Sequence, residues 1–195
     1  MASGTNVRTV LGGVGYRNLK DHSLGIMMSD ELEAESQPPG LVIEDLSYGP
    51  VAVGQWLQDE AREAPFTRAI FITAIAREDG RPPGTICAYR WDRVLPDAEE
   101  IHRAMTDAVT GVIFLDNTLI VVEWMGALPT ETIVLEVEPL EHAWGDEMSP
   151  AVAAAYPEVR ALARRLAHDA ALGLSLPVMP LGGGWIRGHM QPIAV

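Results

Sequence analysis

Apolar residues in this chain fall into two kinds of stretch that alternate along its length. Short, nearly unbroken runs at 7–13, 41–46, 68–76 and 131–138 predict strands. The third, RAIFITAIA, is apolar at almost every position, as a central strand covered on both faces must be. The run TICAYRWD, 85–92, alternates more and predicts an edge strand. Between the runs lie stretches with a helical repeat. The helix predicted over 23–35 has Ser23 as its cap and Ile26, Met27, Leu32 and Ala34 as a partial apolar stripe. The helix predicted over 51–63 starts at Pro50 and buries Val53, Trp56, Leu57 and Ala61. An acidic helix is predicted over 96–108. A more apolar one follows over 112–126, with Val112, Leu115, Leu119, Val122 and Trp124 facing inward. Ser149-Pro150 opens an alanine-rich helix that runs to residue 172, with a bend at Pro157.

The order β-α-β-α-β-β-α-α-β-α predicts a three-layer α/β/α sandwich around a mostly parallel sheet. In such sheets ligands bind beyond the carboxyl ends of the strands. The first strand ends there in Gly12-Gly13-Val14-Gly15, where glycine lets the backbone turn sharply and lets another group approach. Residues 1–172 read as one domain. The Pro/Gly-rich tail, 173–195, is too apolar for a solvated linker and is expected to pack on the body or on a partner.

With 195 residues, 48% of them hydrophobic, the chain has ample material for a sizeable core. Its formal net charge of −13 argues against nucleic acid and anionic lipid as partners. The single cysteine, Cys87, rules out an internal disulfide and a cysteine-built zinc site, and reads as a small apolar strand residue in a reducing compartment. The opening MASGTNVR lacks the apolar core of a signal peptide. The run 112–126 is too short to span a bilayer and carries Asp116 and Glu123. A cytoplasmic protein without a membrane partner is expected.

Candidate chemistry gathers at the strand ends. Asp21 caps or braces the first helix, or stands as a polar group of a pocket. His22 is a metal-donor candidate or an exposed loop residue. Asp45 is a pocket acid or a turn-bonding residue. Tyr48 fills the pocket or binds a peptide backbone, and Thr73 reads as a core-edge residue bonding locally. His142, His168 and His189 have no metal-ligand spacing between them, and His102 reads as solvated beside Glu99 and Glu100. Trp56, Trp91, Trp124 and Trp144 read as core or edge packing, and Trp185 as a tail anchor or a single buried aromatic. A nucleotide-binding reading is weak, because the turn lacks the third glycine of G-x-G-x-x-G just before the helix.

Several of these features, in order, resemble the nickel–iron hydrogenase maturation endopeptidases. The family's opening pattern, G-x-G-N-x-L-x-x-D-[ED]-x-x-G, is matched by Gly13, Gly15, Leu19, Asp21 and Gly25, with Tyr16 at the asparagine position. Asp45 before Leu46-Ser47-Tyr48-Gly49 matches the aspartate that ends the family's second strand. Pro82-Pro83-Gly84-Thr85 matches its proline-glycine step, and Val137-Glu138-Pro139 with Gly145 to Val152 its closing motifs. The resemblance covers roughly residues 7–170 and implies a hydrogenase-maturation-protease-like, phosphorylase/hydrolase-like sandwich. It implies a substrate, the hydrogenase large subunit, whose C-terminal extension such enzymes clip once nickel is in place. In the family two carboxylates and a histidine converge on the metal. Here their positions fall on His22, Thr73 and Val112, so only His22 remains a metal-donor candidate, and nickel enters through the substrate. The resemblance leaves two functions open: a peptidase-like enzyme, or a non-catalytic relative that serves as a scaffold or checkpoint in hydrogenase assembly. Gly13, Gly15, Tyr16, Asp21, His22, Asp45, Tyr48 and Thr73 are expected around one cleft.

Overall fold

The computed structural model describes residues 8–77 and 79–182. Six strands form one sheet: β1 (Thr9–Gly13), β2 (Leu41–Asp45), β3 (Arg68–Ala74), β4 (Ile86–Trp91), β5 (Glu131–Val137) and β6 (Val178–Met179), in the order β2-β1-β3-β5-β4-β6. Every pairing is parallel except that of β4 with β5. Every residue of β3 is buried, because the sheet is covered on both faces. The mostly parallel three-layer α/β sandwich anticipated from the sequence is therefore the observed architecture.

Alternate residues of each strand feed two cores. On one face Ile70, Ile72, Ile133 and Leu135 meet α1 (Leu24–Glu33) and α5 (Pro150–His168). On the other, Phe71, Tyr89 and Val134 meet α2 (Pro50–Glu63) and α4 (Leu115–Trp124). The helix α3 (Ala98–Val109) lies outside α4, with Ala104 against Ile120 and Val121.

Four expectations are corrected. The strand at 85–92 is not the edge: β6, drawn from the tail, pairs beyond it, and Arg90 and Asp92 donate backbone bonds to Pro177 and Met179. The last helix runs unbroken through Pro157 but stops at His168. Asp169 then caps α6 (Ala170–Ser175) by accepting from the Ala171 and Leu172 amides. The apolar helix begins at Leu115 rather than 112, because Gly111 has a φ of 86° and Phe114 is extended. Ser23 precedes α1 but makes no cap bond; its hydroxyl donates to the Lys20 carbonyl of a 3-10 turn, Lys20–Ser23.

The stripes are also narrower than predicted. Met27, Ala34 and Ala61 face out, whereas Leu24 and Met28 join Ile26 and Leu32 inside. Trp124 is 58% exposed, on the far side of α4 from Leu115, Leu119 and Val122, which are fully buried. The expectations for Val7, Trp185 and His189 fall outside the described residues.

Strand β1 packs so closely on α1 that a Cβ on Gly13 would lie 2.0 Å from the Gly25 carbonyl oxygen, a backbone atom that cannot swing aside. Gly13→Ala is therefore expected to destabilise the fold by about 1–3 kcal/mol, the usual cost of overpacking. Urea denaturation checks this: the midpoint should fall with the slope unchanged, and a midpoint equal to that of the parent chain refutes the close packing.

Candidate functional site

The site grows from the carboxyl ends of β1 and β3. After Gly13 the chain passes through a loop in which Asn18 and Lys20 have φ of 59° and 44°, backbone that non-glycine residues seldom adopt. It is held there by a second loop, 139–149, between β5 and α5. Lys20 N donates to the Gly145 carbonyl, and Gly145 N to the Asn18 carbonyl. The stronger tie is Asp21, whose side chain is wholly buried. Its Oδ2 accepts from Leu140 N (2.8 Å), Glu141 N (2.9 Å) and Ser149 Oγ (2.8 Å), and its Oδ1 from Ser149 N (2.6 Å). Burial alone would raise the Asp21 pKa, but these donors outweigh it and hold the carboxyl below its ordinary range. Asp21 is thus a clamp between two loops; it neither caps α1 nor lines a cavity.

The clamp brings His142 to His22. Their ring centroids are 4.7 Å apart and their planes tilted by 49°. His22 is buried, while His142 is exposed. Burial, and then the charge of a protonated His142, hold the His22 imidazole below its ordinary value, against a hydrogen bond to the Ala74 carbonyl and the charge of Asp21. Both rings line a cavity of about 460 Å³, together with Phe114, Asp116, Leu140 and Arg103.

Asp116 is not a free acid. Arg77 donates to both of its oxygens, at 2.6 and 3.0 Å, and also to Glu136 Oε2 at 2.6 Å. Arg81 donates to Glu136 Oε1 at 2.8 Å, so one carboxylate, 1% exposed, is shared by two guanidinium groups. Burial opposes the charge on Arg77, but Asp116 and Glu136 raise its pKa further than burial lowers it. Cys87 sits beneath this cluster, accepting from Arg81 at 3.1 Å, and burial pushes its thiol up to about 11, which leaves it protonated and inert.

The other sequence candidates form the cavity's support or stand apart from it. A Cβ on Gly15 would lie 2.2 Å from the His22 carbonyl oxygen, and Tyr16 N donates to that same carbonyl, so Gly15-Tyr16 wraps the 3-10 turn. The Tyr16 hydroxyl accepts from Ile113 N at 2.6 Å, and its ring meets Phe114 edge-on. Thr73 is buried and donates its hydroxyl to the Val14 carbonyl at 2.9 Å. Asp45 pairs in register with Gly13, at the same sheet end as His22. There it accepts from Ser47 N and Arg17 and turns the chain, and it does not line the cavity. Tyr48, 44% exposed, stands on that β2 side too, its pKa pushed up to about 12 by partial burial and by Glu44 and Asp45. Sequence reasoning missed His142, Asp116 and Arg77. Of these only Asp116 had a local signal, its place in the first turn of an apolar helix.

A three-donor metal site of carboxylates and imidazole does not fit these residues. The Thr73 hydroxyl is spent on a backbone carbonyl, and Val112 offers no donor atom. Among the described residues no three His, Cys, Asp or Glu side chains are placed to hold one ion.

No family model and no curated protein matches the sequence. Solved structures do. A hydrogenase 2 maturation peptidase from a Thaumarchaeota archaeon superposes with a TM-score of 0.55 at 22% identity, over 87% of this chain and 99% of that one. The hydrogenase maturating endopeptidase HybD from E. coli gives 0.56 at 21% identity, over 80% and 88%. A hydrogenase 3 maturation protease gives 0.57 at 19% identity, over 88% and 96%. The fold of this chain is that of the hydrogenase maturation endopeptidases.

Asp21→Asn keeps the side chain's size but turns an amide donor toward three backbone donors. At pH 7 it should cost about 2–3 kcal/mol, the scale of charged hydrogen bonds and stranded buried groups. The sign of the pH dependence follows from the depressed native pKa. The contribution is present above the unfolded value of 3.8 and is lost as pH falls and the native carboxylate takes up its proton. Urea titrations of both proteins from pH 7 down to pH 3 should show the gap narrowing; a gap independent of pH refutes the clamp.

Proposed function

We propose that this chain is a maturation-protease-like protein that engages the C-terminal region of a nickel–iron hydrogenase large subunit and holds it without cutting it. The observation that carries the reading is the state of the Thr73 position. A buried hydroxyl already bonded to Val14 occupies the strand end where the resemblance calls for a metal-binding carboxylate. Nickel, on this reading, arrives with the substrate. The reading makes the chain a cytoplasmic scaffold or checkpoint in hydrogenase assembly; no helix among the described residues is long and apolar enough to cross a membrane.

The rim of the cavity supports a polypeptide ligand. Leu140 and Phe114, which line it, are 58% and 40% exposed, and Trp144, on the same loop as His142, is 81% exposed. Large apolar side chains in that state are the usual anchors of a protein interface.

Incubation with nickel-loaded precursor large subunit tests the proposal. A complex should co-elute on gel filtration with the precursor at full length, and Trp144→Ala should weaken it about 10-fold or more, the effect of losing one interface anchor. Release of a C-terminal peptide would overturn the non-cutting reading and restore a peptidase.

A further inference from the structure

We propose that His22 and His142 form a two-imidazole site for a late first-row divalent cation such as zinc or nickel, with the remaining coordination positions left to water or to an incoming ligand. Three observations converge on it. First, the rings are 4.7 Å apart and tilted by 49°, so they are near neighbours without being stacked face to face. Two imidazoles bound to one tetrahedral ion, each at a metal–nitrogen distance of about 2.0–2.1 Å, stand at a comparable separation. Second, His22 is already oriented as a ligand. One ring nitrogen is engaged by the Ala74 carbonyl, which fixes the tautomer and leaves the other nitrogen with a free lone pair. Third, the pair opens on a cavity of about 460 Å³, room for an ion, its waters and part of a further ligand.

The donor set also selects the ion. Asp116, the carboxylate on the opposite wall, is held by Arg77, and Glu141 is paired with Lys20. What remains free at the cavity wall is nitrogen, which suits zinc, copper or nickel and serves magnesium or calcium poorly. Neutral imidazoles are also the binding form. His22, held below its ordinary pKa by burial and by His142, is deprotonated at pH 7.

This inference rests on the cavity alone, whatever polypeptide docks there. The test is titration of the isolated full chain with zinc, followed by calorimetry and by the ring resonances of its five histidines. The His22 and His142 resonances should shift together at one equivalent, with His102, His168 and His189 unmoved, and magnesium should leave all five in place. His142→Ala, a change at an exposed position, should weaken zinc binding at least 10-fold, since even loss of a ligand's hydrogen-bond partner costs about 10–100-fold. His22→Gln should do the same, and His102→Ala should change nothing. Zinc that leaves the His22 and His142 rings unmoved, or binding within twofold of the parent in His142→Ala, overturns the proposal. No large subunit is present, so failure here and failure of the docking reading are read separately.

Discussion

The arrangement of this site depends on one buried carboxylate. A charge taken out of water is costly unless it is fully hydrogen-bonded, and Asp21 meets that condition with four donors from a single loop. The dependence runs both ways. The loop 139–149 has almost no regular structure, so its amides need partners that a strand or helix does not supply. Asp21 supplies three of them. His142, Leu140 and Trp144 take their positions from that one anchor, on a chain segment that β5 and α5 fix only at its ends.

A second charged cluster shapes the opposite wall. Glu136 lies on β5 in register with Thr73, and its two oxygens are taken by Arg77 and Arg81. Arg77 reaches on to Asp116 and so ties the first turn of α4 to the sheet. Its guanidinium also lies against Gly182, where the described chain ends. Buried networks of this kind are poor sources of net stability but are costly to break, because removing one partner strands the rest. Their effect on the cavity is to consume its carboxylates. Imidazole nitrogen and apolar rim are what the surface has left to offer.

Most of the fold was legible because it is written in local periodicity. The near-continuous apolar run of β3 and the alternation of strands with helices require a covered parallel sheet, and no distant contact is needed to see it. The errors came where tertiary contacts overrule pattern. Two residues of a Pro/Gly-rich tail became a strand because β4 had a free edge. Trp124 and Trp144 were read as packing residues, yet nothing covers them in this chain. The site was half legible. His22 and its glycine turn were visible in one contiguous motif, whereas His142 lies at a distance no spacing rule spans. Its proximity follows from the bonds of Asp21, and a sequence shows an aspartate without showing what it will accept.

The sheet's order bears on how this protein is made. The two innermost strands, β3 and β5, are joined in register at Arg68 and Glu131, which are 63 residues apart in the chain. Everything between them, including β4 and two helices, is synthesised before β3 can find its second neighbour. Until then one edge of the most apolar strand in the molecule is open, and closing it carries the entropic cost of a long loop. The half made of β1, β2, β3 and α1 must therefore wait, exposed, on the ribosome, and this is the interval in which the nascent chain most needs protection from association.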